Sequence, residues 1–299
     1  MSKPVYGIVM IQTPDLISII TPAFNAEPYI ARAVRSVIAQ THHNWELLLI
    51  SDDQTNYQTV LSQQGISDPR IRFLSTNAYG AGVNHARSLA LKHAEGEWIA
   101  TLDADDSFMP KRLKKLLPLA QRFGMAADNV SVVDHRSDEL LRTLFAADGG
   151  IHWLNANDYC QTDVPMTFLF RRSLITLPWQ SDIELGEDTL FHLRLMEQLE
   201  HDVPVLSQSL HRYYVREDSI CHSKDASERA ERGYSHSLSR LADDGLGFAQ
   251  PAFRDLVADM LTRKRSTNLQ FKQAQSDGFS GSFQQFVATQ HDAAVASQY

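Results

Sequence analysis

The chain has 299 residues, 43% hydrophobic and 21% charged, a composition ordinary for a soluble globular protein of one large domain or one domain with an extension. Its 28 basic residues against 36 acidic ones leave a net charge of −8, which argues against a nucleic-acid binder, since that function needs a basic face. The two cysteines, Cys160 and Cys221, lack metal-ligand spacing, and no apolar stretch approaches the roughly 18 residues of a membrane span.

Leu16 to Ile20 is a β-branched run that stops at Pro22, which predicts a buried first strand. Pro28 suits a first helical position, and Ile30, Ala33, Val34, Val37 and Ile38 then recur on one helical face. A second strand is expected over Trp45 to Ile50, ending at Ser51-Asp52-Asp53, and a third over Ile71 to Leu74. Gly82 to Ala94 reads as a helix, and Trp98 to Leu102 as a fourth strand that runs into Asp103-Ala104-Asp105-Asp106. Leu113, Leu116, Leu117 and Ala120 form a further helical stripe, followed by a fifth strand over Val130 to Val133. Strands alternating with amphipathic helices predict a mostly parallel sheet covered on both faces, a Rossmann-like α/β sandwich. In such sheets ligands bind beyond the carboxyl ends of the strands, so Phe24-Asn25, Asp52-Asp53 and Asp103 to Asp106 are expected around one site.

Beyond Asp134 the alternation fails. Leu140 to Phe145, Thr167 to Phe170 and Leu210 to Val215 read as strands, and Glu187 to Leu199 as a helix. From about Ser223 strand signals vanish and a helical C-terminal extension is expected. Met1 to Thr13 lacks a basic segment followed by an apolar core, and the two cysteines read as reduced, so a cytoplasmic location is expected.

Carboxylates gathered at the end of a buried strand repel one another, and a divalent cation removes that cost, because hard cations take carboxylate oxygens. A solvated acidic turn is the competing reading of Asp103 to Asp106. The surrounding residues decide between them. Ile19 to Asn25, Ser36-Val37-Ile38-Ala39-Gln40-Thr41 and Ile50-Ser51-Asp52-Asp53 resemble the opening of glycosyltransferase family 2. Ala86-Arg87, Gly96 to Ile99 and Leu102 to Asp106 are similar to that family's DxD region, and Gly186-Glu187-Asp188 resembles its acidic motif at the head of a helix. The match runs from Leu16 to His222 in the expected order.

The resemblance implies a GT-A fold over residues 14–222, with a nucleotide-sugar-binding half at 14–134, an acceptor half at 135–222 and a mainly helical extension at 223–299. It implies transfer of a sugar from a nucleotide-sugar donor, usually a UDP-sugar, with inversion at the anomeric carbon. The acceptor implied is a carbohydrate or glycolipid, with peripheral membrane contact through an acceptor lipid left open. Asp105 is the expected metal ligand for Mg²⁺ or Mn²⁺, with Asp103 beside it and nearer the ribose; the metal neutralises charge on the leaving diphosphate. Asp106 is either a support for these ligands or a helix cap.

Pro22, Phe24 and Asn25 resemble the family's first-strand loop, where an aromatic ring lies against the base; burial of Phe24 in the core is the competing reading. Asp53 corresponds to the acid that reads the uracil N–H, although Gln54-Thr55 stands where the family commonly has Gly-Ser. Arg87 faces either the donor's phosphates or a neighbouring acid. Asp188 is the expected catalytic base, and Glu187 is expected to orient the acceptor. Arg216, Ser219 and His222 are similar to the segment that folds over the diphosphate, with His222 a further metal ligand. His211 and His201 have no motif and read as satisfied core or surface residues.

Two rival readings stand beside this one. A nucleotidyltransferase needs a phosphate loop near the first strand, and Thr21 to Glu27 lacks its glycines and basic residues. An inactive binding module on the same fold would have no reason to keep Asp103, Asp105 and Asp188.

Overall fold

The structure is a computed structural model that describes residues 15–216, 226–281 and 286. In chain order it runs β1 (Ile17–Ala23), α1 (Ile30–Ile38), β2 (Trp45–Ser51), α2 (Tyr57–Gln63), β3 (Ile71–Ser75), α3 (Val83–His93) and β4 (Trp98–Thr101). Then follow β5 (Ser107–Phe108), α4 (Arg112–Phe123), β6 (Met125–Asp134), β7 (Leu140–Thr143), β8 (Ile151–Leu154) and α5 (Ala156–Tyr159). β9 (Phe168–Arg171), α6 (Glu187–Met196), β10 (Val203–Val215), α7 (Ala226–Asp244) and α8 (Pro251–Ser276) complete the described elements.

All the described strands join one sheet, whose main path is β3-β2-β1-β4-β9-β6-β10-β5, with β7 on β6 and β8 on β10. The first four strands are parallel, as the alternation predicts. β9 then runs antiparallel to both β4 and β6, and β10 is parallel to β6. The sheet is therefore parallel in its first half and mixed in its second. This order turns the C-terminal ends of β1, β2, β3, β4, β6 and β10 toward one edge, so the loops that carry Phe24, Asp52-Asp53, Tyr79 and Asp103 to Asp106 open on the same side.

β1, β2 and β4, and most of β6 and β9, are buried on both faces, so alternate residues feed two cores. Ile17, Ile19, Leu47 and Leu49 pack with α1 and α4 through Ile30, Val34, Val37, Leu113 and Leu116. Ile20, Leu48 and Ile50 face the other way, onto Ala86 and Ala90 of α3 and Leu190, Phe191 and Leu193 of α6. That second core also holds Leu241, Leu246, Phe248, Val257, Met260 and Leu261, so α7 and α8 seal the face beneath α6. The expected helical extension is thus built into the main core.

Pro22 does not end β1. It pairs with Ile50, and the strand continues to Ala23, because pairing with β4 ends at Ile20 and the missing N–H falls on the side that has no partner strand there. Gly96, at the entrance to β4, packs so closely on β1 that a Cβ would lie 2.7 Å from the Leu16 carbonyl and from the Ser18 nitrogen. Among the described residues no helix is long and apolar enough to cross a membrane.

Candidate functional site

The end of β1 presents an aromatic ring to solvent. Phe24 is 45% exposed, so burial in the core is not its role, and it meets Tyr79 edge-on with ring centroids 5.2 Å apart. Tyr79 is 65% exposed and sits in the loop between β3 and α3. Asp52 ties that loop down: its carboxylate accepts from Ala81 N–H at 3.0 Å, Gly82 N–H at 2.9 Å and the Thr76 hydroxyl at 2.8 Å. Its carbonyl accepts from Gly80 N–H at 2.7 Å. Sequence reasoning passed over Tyr79; its signal was an aromatic residue between Asn77 and Gly80, where turn chemistry expects small polar residues.

Asp53 is placed beside this pair but its carboxylate is engaged within the protein. It accepts from Asn25 N–H at 2.6 Å and the Tyr57 hydroxyl at 2.7 Å on one oxygen, and from Thr55 N–H at 3.0 Å and the Ser51 hydroxyl at 3.1 Å on the other. Burial pulls its pKa up, but the bonds from Tyr57, Thr55, Asn25 and Ser51 outweigh that and hold the carboxyl below its ordinary value. A carboxylate offers about four lone-pair sites, so Asp53 is filled by these donors and organises the β1 and β2 loops. A direct bond to a uracil N–H, expected from the sequence, would displace one of them. Asn25 takes a positive φ of 50° and uses its backbone N–H, and half-buried Pro22 stays on β1.

Arg87 on α3 is 4% exposed and joins two acids from distant parts of the chain. Its guanidinium donates to Asp188 Oδ1 at 2.5 Å and to Asp103 Oδ1 at 2.7 Å. Burial works against its charge, and the Asp188 and Asp103 carboxylates more than restore it. Of the two roles open to Arg87 from sequence, the acid-pairing one is the geometry observed. Asp188 stands in the first turn of α6, behind Gly186, which reaches the left-handed φ of 77° that this tight entry requires. Its side chain is half exposed on the cleft.

Glu187 points the other way, which corrects the expectation that it orients an acceptor. It is 2% exposed and accepts from Arg194 Nη2 at 2.5 Å and from Gln180 N–H at 2.8 Å. Burial pushes its pKa up to about 6 against the pull of Arg194. Adjacent residues on a helix face directions about 100° apart; when Asp188 takes the cleft, Glu187 is left to the interior.

The acidic turn sits between these acids and the end of β10. Arg216 Nη2 lies 2.6 Å from Asp105 Oδ2, with its guanidinium 4.4 Å from the Tyr29 ring centroid. Arg32 of α1 donates to the Asp105 carbonyl and stacks 3.5 Å over the Tyr214 ring centroid. Burial raises the pKa of Asp103, with Asp188 and Asp105 adding to it and Arg87 opposing. Burial likewise raises Asp105, with the charge of Asp106 adding and Arg216 opposing. Asp106 is 2% exposed and is not a helix cap: it accepts from His211 Nε2 and from Tyr214 N–H, each at 3.0 Å. Burial lowers the His211 pKa to about 4, which keeps the imidazole neutral. His211 is thus the satisfied core residue of the two sequence readings, while His201 lies exposed at the surface.

Ser219 and His222 lie outside the described residues. Among the described residues no group of three or more His, Cys, Asp or Glu side chains is arranged to hold a metal ion. Asp103 and Asp105 nevertheless fit a hard divalent cation supplied with further oxygens by a ligand. Their side chains are 39% and 25% exposed, and burial, with neighbouring carboxylates adding to it, raises both pKa values. Behind the loop that follows β2 lies a shallow cavity of about 290 Å³, lined by Gln54, Thr55, Tyr57 and Phe73 among others.

A sheet that is parallel in its first half and gathers aromatic, acidic and basic groups at its carboxyl edge has GT-A architecture. The fold matches TarS 1–349 of S. aureus in complex with UDP-GlcNAc, with a TM-score of 0.61 at 19% identity over 84% of this chain and 72% of that one. It also matches the mannosyltransferase PcManGT from Pyrobaculum calidifontis in complex with GDP-Man and Mn²⁺, with a TM-score of 0.57 at 16% identity over 95% of this chain and 80% of that one. Residues 18–176 match the model of glycosyl transferase family 2, and the chain belongs to that family. It is 40% identical over 116 residues to the Escherichia coli UDP-Glc:alpha-D-GlcNAc-diphosphoundecaprenol beta-1,3-glucosyltransferase WfgD, covering 39% of this chain and 43% of that protein. It is also 40% identical over 105 residues to the putative teichuronic acid biosynthesis glycosyltransferase TuaG of Bacillus subtilis, covering 34% of this chain and 40% of that protein. The chain therefore aligns with less than half the length of these two relatives.

Proposed function

We propose that this protein transfers a sugar from a UDP-sugar to a hydroxyl of a carbohydrate or glycolipid acceptor, with inversion, in polysaccharide or glycoconjugate synthesis in the cytoplasm. The observation that carries the reading is the Arg87 bridge, which sets Asp103 of the acidic turn and Asp188 of α6 on one guanidinium in one cleft. That shared partner supports reading a donor seat and a proton acceptor side by side. The family supplies the roles, and the bound sugar nucleotides of TarS and PcManGT support the donor class.

In this reading Phe24 and Tyr79 pack against the base, and Arg216 donates to the diphosphate. Asp188 takes the proton of the acceptor hydroxyl. The hydroxyl oxygen bonds the anomeric carbon on the face opposite the diphosphate, and the bond from that carbon to the diphosphate oxygen breaks. Arg87 holds the Asp188 carboxylate in place at the start of α6. Asp103 and Asp105 would hold a divalent cation, which would neutralise charge on the leaving diphosphate.

The nucleotidyltransferase reading lacks its phosphate loop, since residues 24–29, which join β1 to α1, hold no glycine and no basic residue. The test is hydrolysis of nucleotide sugars without acceptor, with Mn²⁺ and with chelator. Metal-dependent release of UDP supports the reading; inertness toward every sugar nucleotide, with no binding of any of them, overturns it.

A further inference from the structure

Asp106 shares the acidic turn with Asp103 and Asp105 but is closed off from the cleft, and its partners lie on β10, ahead of Arg216. Tyr214 N–H and His211 Nε2 reach its two oxygens at 3.0 Å each. The bond pattern behind His211 assigns its tautomer. Arg112 Nη2 donates to Thr167 Oγ1 at 3.0 Å, so the Thr167 hydroxyl proton is free to turn to His211 Nδ1, 3.4 Å away. Nδ1 accepts, and Nε2–H donates to Asp106. Arg112 is itself fixed by Asp128 at 2.7 Å, a pair with no exposure on either side, and the second Asp128 oxygen accepts Leu210 N–H at 2.8 Å.

A directed chain of hydrogen bonds thus runs Arg112, Thr167, His211, Asp106. Its two ends are both fixed to β10, at Leu210 and at Tyr214. Arg216 directly follows β10, and its guanidinium meets Asp105 one residue along the turn from Asp106. We propose that Asp106 and His211 are positioning residues that register the acidic turn against β10 and so set the distance between Asp105 and Arg216, the two groups that hold a metal-bound diphosphate. The inference rests on the donor reading of the cleft. Neither residue touches a ligand; both act through Asp105 and Arg216.

The experiment measures Mn²⁺·UDP binding to the full chain by calorimetry in His211→Gln and His211→Phe. Gln carries an amide N–H near the place of Nε2–H, whereas Phe keeps the ring beside Phe108 and loses the donor. The expected result is a Kd within threefold of wild type for His211→Gln and at least tenfold weaker for His211→Phe, with metal-free UDP binding changed less than threefold in both. Should the Phe variant fail to fold, His211→Asn, whose amide is too short to reach, takes its place with the same expected loss. Variants that melt at lower temperature yet bind Mn²⁺·UDP as wild type does would overturn the inference and leave the pair a mere core feature. Wild-type protein that binds no Mn²⁺·UDP at all overturns the donor reading first, and the inference with it.

Discussion

Truncating Phe24 separates binding from folding in the nucleotide reading. The ring is 45% exposed and its contacts are Tyr79, edge-on at 5.2 Å, and Gly80, where an added Cβ would stand 3.7 Å from the ring. Phe24→Ala removes no buried packing of consequence, so its cost to stability is within about 0.5 kcal/mol, as for surface substitutions generally. Its cost to base stacking is about 1–3 kcal/mol, which is a loss of about 5- to 150-fold in UDP affinity. Calorimetric titration with UDP and, in parallel, with inorganic pyrophosphate isolates the base: UDP weakens and pyrophosphate does not. Tyr79→Ala is expected to act in the same sense, and the double variant to lose less than the sum, because each ring supports the other across the pair. A UDP affinity unchanged within twofold, or an equal loss for pyrophosphate, refutes the stacking argument.

Other expectations follow from single contacts. Asp188→Asn keeps the size of the side chain beside Arg87 and loses the proton acceptor, so sugar transfer falls about 10²- to 10⁴-fold while UDP affinity stays within threefold; transfer at the wild-type rate removes Asp188 from the mechanism. Arg216→Gln gives up a charge-assisted bond worth about 1.5–3 kcal/mol, so UDP and pyrophosphate weaken together by about 10- to 150-fold, and affinities that hold for both exclude Arg216 from the diphosphate. Glu187→Gln tests the buried ion pair through pH. Burial raises the Glu187 pKa from 4.5 to about 6, so the folded state holds the proton more tightly than the unfolded one. The stability this contributes is full below pH 4.5 and is lost as pH rises through about 6. Relative to wild type, the Gln variant should therefore gain about 2 kcal/mol between pH 4.5 and 7 in urea unfolding, from the rise to about 6; a constant difference across that range contradicts the assignment.

The parallel half of the fold was legible because its signals are local. β1, β2, β3 and β4 are short apolar runs bounded by turn residues, and α1 and α4 carry clear apolar stripes. α2 escaped because its seven residues, Tyr57 to Gln63, bury only Tyr57 and Leu61. The first half of β10 escaped for a different reason: Pro204, Ser207 and Gln208 break the apolar run, and register shifts between Leu206 and His211 interrupt its pairing with β6. The antiparallel direction of β9 has no local signature, since Phe168 to Arg171 reads the same either way.

The site divides along the same line. Phe24, Asp103 and Asp105 were expected together because each follows a strand end, and Asp188 and Arg216 were added by the family resemblance; the fold brings Asp188 to Asp103 through Arg87 and Arg216 to Asp105. What sequence could not give was which way each side chain turns. Glu187 and Asp188 are neighbours, yet one is sealed against Arg194 and the other faces the cleft. Asp106 looks in sequence like its two neighbours in the cluster, yet its partners lie on β10 more than a hundred residues away.

The central claim is that the cleft at Asp103 and Asp105 seats a nucleoside diphosphate together with a divalent cation. Titration of the full chain with UDP, with and without Mn²⁺, in wild type and in Asp105→Ala tests it most directly. The account predicts saturable binding that Mn²⁺ strengthens in wild type, with the Mn²⁺ effect abolished in Asp105→Ala. Binding that ignores both the metal and the substitution, or no binding at all, contradicts it.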